Sequence, residues 1–437
     1  MNSGVHLWEE ARRIIPGGNQ LLSKRSEMYL PDLWPSYYKK AKGCEIWDLD
    51  DNHYFDFACM GVGACVLGYA DNDINAKVKE AIDCGSMASL NSYEEVALAK
   101  KLISLHPWAQ MVRFSRTGGE ACAIAIRIAR AASKKDKVAF CGYHGWHDWY
   151  LSANIGDQRS LDGQLLPGLE PNGVPRPLHL SALPFQYNSL DGLEKIFREN
   201  PDQVGVIIME PVRGREPAPG FLEGVRELAN RHKAVLIFDE VTSGFRMNLG
   251  GIHLRYGVSP DIAVYGKGLG NGFPISAILG RKEFMDAAQS TFISSTFWTE
   301  RIGFTAALAT IEKMESCEVQ KTLITYGWMV QEGLKQRANA HGIGLEVNGI
   351  PPLLYLSFSD REPAAIQTFY TQEMLKKGFL AGGAVYATYA YNEKIINAYL
   401  DTADKIFERI AKFTKESASI VSLLEGPIKH SGFKRLT

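Results

Sequence analysis

Between about residues 70 and 310, helical periods of apolar residues alternate with short, unbroken apolar runs. Apolar positions three and four residues apart predict helices near 73–84, 93–105 and 118–133, each burying one stripe. The runs at 137–143, 204–210, 234–239, 261–265 and 274–280 lack the apolar–polar alternation of a half-exposed strand, so they predict strands covered on both faces. Helices alternating with buried strands argue for an α/β fold with a mostly parallel sheet between helical layers. Outside this stretch the pattern changes. Residues 43–58 make two short alternating runs around Asp50-Asp51-Asn52, which is hairpin chemistry. The first fifteen residues read as an amphipathic helix. Beyond 315, helical patterns at 320–340, 364–377 and 393–415 surround one short apolar run at 352–358, as in a smaller α+β lobe. The expected organisation is a segment 1–65 contributing to a small domain, a large domain over 66–315, and the rest of the small domain over 316–437. Residues 155–177 are rich in Gly and Pro and too long for a simple connector, so they are the expected lid.

Charge and cysteine usage narrow the function. The 48 basic and 49 acidic side chains leave a formal charge of -1, which gives no electrostatic reason to expect nucleic acid or an anionic membrane as partner. No apolar stretch reaches the ~18 residues of a membrane span, and the amino terminus lacks the apolar core of a secretory signal. The seven cysteines are odd in number and contain no C-x-x-C pair, which fits reduced thiols in a cytoplasmic protein rather than disulfides or a zinc site.

Candidate chemistry gathers at the ends of the predicted strands. Asp239 closes the run Ala234-Val-Leu-Ile-Phe-Asp-Glu-Val241, and Lys267 follows the run at 261–265 inside Tyr265-Gly-Lys-Gly-Leu269. Ligands of open α/β sheets bind beyond the carboxyl ends of the strands, so an acid and an amine at two such ends face one crevice. That pair suits pyridoxal phosphate, whose aldehyde takes a lysine and whose ring nitrogen takes a carboxylate. An exposed turn lysine is the alternative for Lys267. A structural pair with Arg246 is the alternative for Asp239, and Glu240 is the better candidate for that pair. Thr117, Gly118 and Gly119 crown the helix over 118–133, where free amides and the helix dipole favour an anion. Tyr143 and His144 stand at the carboxyl end of the strand at 137–143, where an aromatic ring can stack on a planar cofactor. His144 and His147 have superficial metal-ligand spacing, but no third ligand at a telling distance, so no metal is expected. Glu210, at the end of the run 204–210, either pairs with a cation or orients substrate.

The motifs Phe114–Arg130, Tyr143-His-Gly145, Met209-Glu-Pro-Val212, Phe238-Asp-Glu-Val241, Gly244-Phe-Arg246 and Pro260–Gly272 together resemble the class III (subgroup II) aminotransferases of pyridoxal-phosphate fold type I. Within them the chain is similar to the glutamate-1-semialdehyde aminomutase-like branch. The resemblance implies that Lys267 forms the Schiff base, that Asp239 pairs with the ring nitrogen, and that Val241 and Tyr143 cover the two ring faces. It implies a phosphate site of Thr117, Gly118 and Gly119, joined by Thr296 from the other subunit of a homodimer. The implied substrates are a small-molecule amino donor and a small carbonyl compound, sugar-like ones included; the alternatives are intramolecular 2,1-aminomutase chemistry and a catalytically silent cofactor-binding protein. Two departures stand out. Thr117-Gly-Gly-Glu120 replaces the family's Ser-Gly-Thr-Glu. Lys24, with Arg25 beside it, stands at the spacing of the aminomutases' carboxylate-binding arginine. Lysine lacks arginine's bidentate fork, which weighs against glutamate-1-semialdehyde as substrate.

Overall fold

The computed structural model describes residues 2–157, 159–164, 167–212, 214–415 and 419–433. It divides into two compact units, one made of residues 1–71 and 321–437 and the other of residues 72–320.

The first unit opens with α1 (Ser3–Ile14), capped by the Asn2 side chain and burying Trp8 and Ala11. Three antiparallel strands follow, β1 (Tyr38–Lys42), β2 (Glu45–Asp48) and β3 (His53–Phe57). β2 and β3 form the expected hairpin, with Asp48 accepting the Asn52 amide inside the turn.

In the second unit, α2 (Asn72–Asp83) and α3 (Tyr93–Leu105) lead into β4 (Met111–Ser115). Then come α4 (Gly118–Ser133), β5 (Lys137–Cys141), α5 (Asp148–Leu151), β6 (Ala182–Pro184), α6 (Leu190–Glu199) and β7 (Val204–Met209). The unit ends with α7 (Phe221–His232), β8 (Val235–Asp239), α8 (His253–Tyr256), β9 (Ile262–Tyr265), β10 (Ser276–Gly280), α9 (Lys282–Met285) and α10 (Arg301–Ser316). The seven strands lie in the order β4-β10-β9-β8-β7-β5-β6. Neighbours from β9 to β6 are parallel, whereas β10 runs antiparallel to both β9 and β4. Every residue of β7, β8, β9 and β10 is buried.

Strand alternation sends successive side chains to opposite faces of the sheet. Val206 and Ile208 of β7, and Val235 and Ile237 of β8, join α4 in one core. Ile207 and Met209, with Leu236 and Phe238, join α6 and α7 in the other. Asp239 continues the series 235, 237, 239, so it falls on the α4 side. Sequence periodicity missed β4 and β6. β4 carries Arg113 in mid-strand, whose guanidinium donates to the Ile293 carbonyl at 2.6 Å. β6 has three residues and ends in proline, as an edge strand tolerates.

The first unit resumes through α11 (Val319–His341), whose opening residues belong to the second. β11 (Leu345–Ile350), β12 (Leu353–Phe358), α12 (Pro363–Lys376), β13 (Phe379–Ala381), β14 (Ala384–Tyr386) and α13 (Glu393–Lys415) follow. β11, β12 and β14 form an antiparallel sheet, and β13 joins β3 in parallel, pairing Phe379 with Phe55. Phe57 stacks on Tyr391 and Tyr399, with ring centroids 4.4 and 4.1 Å away, so residues distant in sequence share one core.

Candidate active site

The parallel neighbours β9, β8, β7 and β5 end at the same edge of the sheet of unit 72–320. Asp239 is the last residue of β8, Glu210 follows β7, Gly142, Tyr143 and His144 follow β5, and Lys267 lies two residues beyond β9.

The buried Asp239 carboxylate is held by three groups. Its Oδ2 lies 2.8 Å from His144 Nδ1 and accepts the Cys122 thiol at 3.3 Å. Its Oδ1 accepts the Val241 amide at 3.0 Å. Cys122 sits on the buried face of α4, and burial, with Asp239 nearby, pushes its thiol well above the usual range, so it acts as a donor. His144 Nε2 lies 3.2 Å from the Cys141 carbonyl. Cys122, His144 and Asp239 bring their ligand atoms within 4.8 Å of one another. Their geometry is that of a hydrogen-bonded trio, with donors aimed at one carboxylate. His147 does not join it; it precedes α5 and lies against Gly119.

Lys267 Nζ donates to Thr242 Oγ1 at 2.8 Å. Its φ of +39° is unusual for a side-chain-bearing residue and reflects the tight turn after Gly266, where a Cβ would lie 2.9 Å from Ser276 Oγ. Glu240, next to Asp239, has a structural task. Its carboxylate takes the Ile252 and His253 amides, the Ser243 hydroxyl and His253 Nδ1, the last at 2.5 Å. The Arg246 Nε donates to the Thr242 carbonyl at 2.7 Å.

Thr117 caps α4 in a capping box. Its Oγ1 accepts the Glu120 amide at 3.4 Å, while Glu120 Oε2 accepts the amides of Thr117 and Arg116. The Ala121 amide goes to the Thr117 carbonyl, so those of Gly118 and Gly119 are the first-turn donors left for an anion. Close approach explains these glycines. A Cβ on Gly118 would lie 2.8 Å from Val241 Cγ1, and one on Gly145, at φ +102°, would lie 2.8 Å from Gly119 Cα.

Glu210 fixes the loop after β5. Its Oε2 accepts the Tyr143 amide at 3.1 Å, and Gly142 leaves it room. Burial raises the Tyr143 phenol above its usual value, with smaller contributions from Cys122, Asp239 and Glu210. Gln164, in the expected lid segment, accepts the Gly142 amide at 2.8 Å, and Leu161 is buried in the α4-side core. Residues 158, 165 and 166 of that segment lie outside the described residues.

Thr296, Lys24 and Arg25 complete the expected set. Thr296 begins an exposed 3-10 turn, Thr296–Thr299, within the same unit. Lys24 and Arg25 belong to the other unit, where Lys24 ends a 3-10 turn and the Arg25 guanidinium closes over Gly17 and lies 5.8 Å from the Phe433 ring centroid. Thr242 and Gln164 carry no local motif. Glu120 closes the Thr117-Gly-Gly-Glu120 motif, and for Cys122 helical period gives the signal, placing it on the buried face of α4, one turn beyond Gly118.

Residues 31–402 match the family model of the class-III aminotransferases. The chain is 34% identical over 376 residues to a 3-aminobutyryl-CoA aminotransferase of Cloacimonas acidaminovorans, covering 84% of this chain and 86% of that protein. It is 35% identical over 373 residues to a glutamate-1-semialdehyde 2,1-aminomutase of Methanocaldococcus jannaschii, covering 83% and 84%. An omega-transaminase structure from Sphaerobacter thermophilus superimposes with a TM-score of 0.82 at 26% identity, over 94% of this chain and 98% of that one. The chain belongs to the class-III aminotransferase family and is an amino-transferring enzyme dependent on pyridoxal phosphate.

Proposed function

We propose that the enzyme is a homodimeric transaminase moving an amino group between an amino donor and a small carbonyl compound, sugar-like ones included, with Lys267 as the Schiff-base lysine and Asp239 as partner of the cofactor's ring nitrogen. The observation that carries this reading is the set of donors around Asp239. The Val241 amide takes one lone pair of Oδ1 and leaves another for a cationic N–H, while Cys122 and His144 hold Oδ2 in place. The phosphate turn supports it as well, since the Gly118 and Gly119 amides are the donors left at the N-terminus of α4.

When bound, the cofactor supplies an aldehyde for the lysine and a protonated ring that draws electrons from the substrate carbon. Thr117 Oγ1 retains a hydrogen to donate to phosphate, beside the amides of Gly118 and Gly119. Val241 and Tyr143 would hold the ring on its two faces. Lys267, steadied by Thr242, would hold the aldehyde and, as a neutral amine, would take one proton from the substrate and return it. Glu210 acts on the Tyr143 backbone. The segment 155–177, tethered through Gln164, is the lid that retains the half-product.

The dimer reading is supported by large apolar side chains that a subunit contact would cover: Leu90 is 85% exposed, Phe292 84%, Tyr93 72% and Phe297 67%. In that dimer Thr296 of each protomer completes the phosphate site of the other. The site-bearing unit is the large domain and the unit of residues 1–71 and 321–437 the small one. Among the described residues no helix is long and apolar enough to cross a membrane, and the free cysteines, two of them exposed, fit a cytoplasmic setting.

The aminomutase alternative is favoured by the 35% identity to the Methanocaldococcus enzyme. Purified holoenzyme mixed with a panel of amines separates the two. The transaminase reading expects a donor to convert the cofactor to pyridoxamine phosphate and turnover to require a separate acceptor. Isomerisation of glutamate-1-semialdehyde without acceptor would establish the aminomutase instead.

A further inference from the structure

Arg116 has its main chain in the phosphate-binding turn and its side chain in the segment that carries Thr296. Its amide donates to Glu120 Oε2 at 3.1 Å, the carboxylate that also holds the Thr117 amide at 3.0 Å. Its guanidinium leaves the turn and meets residues 297–300. Nε donates to the Phe297 carbonyl at 2.7 Å, and Nη2 donates to the Trp298 carbonyl at 3.2 Å and to that of Glu300. Nη2 also lies 3.6 Å from the Glu300 carboxylate, which caps α10 through the Ile302 and Gly303 amides. The Cζ stands 4.9 Å from the Phe304 ring centroid, and Gly303 leaves room for Nη1, which a Cβ there would approach to 2.5 Å.

The carbonyls of three residues therefore converge on one planar cation, a pattern that lysine's single ammonium does not reproduce. The side chains at 294–297 are exposed, so they give the turn little packing of their own. Arg127 and Arg113 hold the carbonyls of Phe292 and Ile293 upstream. Arg116 holds the turn immediately after Thr296.

We propose that Arg116 is a positioning residue acting across the dimer: by fixing residues 297–300 it fixes the Thr296 that each protomer lends to the other's phosphate site. A lesion at Arg116 then weakens cofactor binding in the opposite subunit and not in its own. This rests on the proposed dimer and its shared phosphate site.

Mixed dimers made from two differently tagged chains test it. One chain in each carries Lys267→Ala, so only the other chain gives the visible absorbance of lysine-bound cofactor. Arg116→Gln is placed on the Lys267→Ala chain in the first dimer and on the Lys267-bearing chain in the second, and each apoenzyme is titrated with pyridoxal phosphate. The first should bind about tenfold or more weakly, from the loss of charged hydrogen bonds, and the second like a mixed dimer with Arg116 intact. Arg116→Lys in the first dimer should recover only part of the affinity. Both dimers contain the same lesion, so simple misfolding would lower both. Equal loss in the two, loss confined to the second, or no loss in either would overturn the proposal. A wild-type protein that is monomeric, or that gives no lysine-bound absorbance, would instead overturn the dimer or cofactor reading on which it stands.

Discussion

Replacing His144 with Leu removes both ring nitrogens and keeps an apolar side chain of similar bulk. The site is fully enclosed, with no solvent exposure of the His144 side chain and 5% of that of Asp239. The two ring nitrogens of His144 face acceptors, Nε2 the Cys141 carbonyl and Nδ1 the Asp239 carboxylate. The lost bond to Asp239 is thus charge-assisted, of the class that contributes about 1.5–3 kcal/mol. The Cys122 thiol and Val241 amide remain, and a thiol is a weak donor. A carboxylate left this short of partners is less firmly held in place for a ring nitrogen. Each 1.4 kcal/mol is tenfold in affinity, so pyridoxal phosphate should bind roughly 10- to 100-fold more weakly to the variant. Titration of the apoenzyme, followed by visible absorbance and by cofactor retained after gel filtration, measures this directly. His144→Leu with wild-type affinity and turnover would show that Asp239 does not depend on the trio.

Three further expectations follow from other parts of the unit. Gly145→Ala puts a Cβ 2.8 Å from Gly119 Cα at a backbone φ of +102°, so the two loops must part and cofactor affinity should fall at least tenfold; normal binding in the titration would contradict the interlock. Burial lowers the His106 imidazole to about 4, below the 6.5 of the unfolded chain, so the unfolded state binds the extra proton between those values and stability should fall with acidification across that window. The effect is about 3 kcal/mol; stability measured against pH should lose this slope in His106→Gln, and an unchanged slope would refute the assignment. Leu90→Asp together with Phe292→Asp should shift the enzyme towards monomer in sedimentation, and an unaltered mass would remove the exposed apolar surface as support for the dimer.

The core of the fold was legible because β7, β8, β9 and β10 are buried on both faces and therefore nearly unbroken in apolar residues. The helix over 118–133 was read to the residue, since its N-cap threonine, capping-box glutamate and buried stripe all agree. β13 and β14, at three residues each, are too short to show a period, and β11 reads as polar because alternate positions face water. The candidate site was legible where chemistry coincides with a strand end, as at Asp239, Glu210 and Lys267. Glu210 kept two readings open in sequence, and geometry favours a backbone role through the Tyr143 amide. What remained hidden depends on tertiary approach. Cys122 lies 117 residues from Asp239, and Arg116 lies 181 from Phe297; no local pattern reports either contact. His144 was expected at the cofactor, and its observed partners make its influence run through Asp239.

The central claim, that Lys267 is the lysine bonded to the cofactor beside Asp239, is tested most directly by covalent trapping. Holoenzyme reduced with borohydride, digested and mapped by mass spectrometry should carry one pyridoxyl group per chain, on the peptide containing Lys267, with none trapped in Lys267→Ala. A pyridoxyl group found on another lysine, or undiminished trapping in Lys267→Ala, would contradict the account.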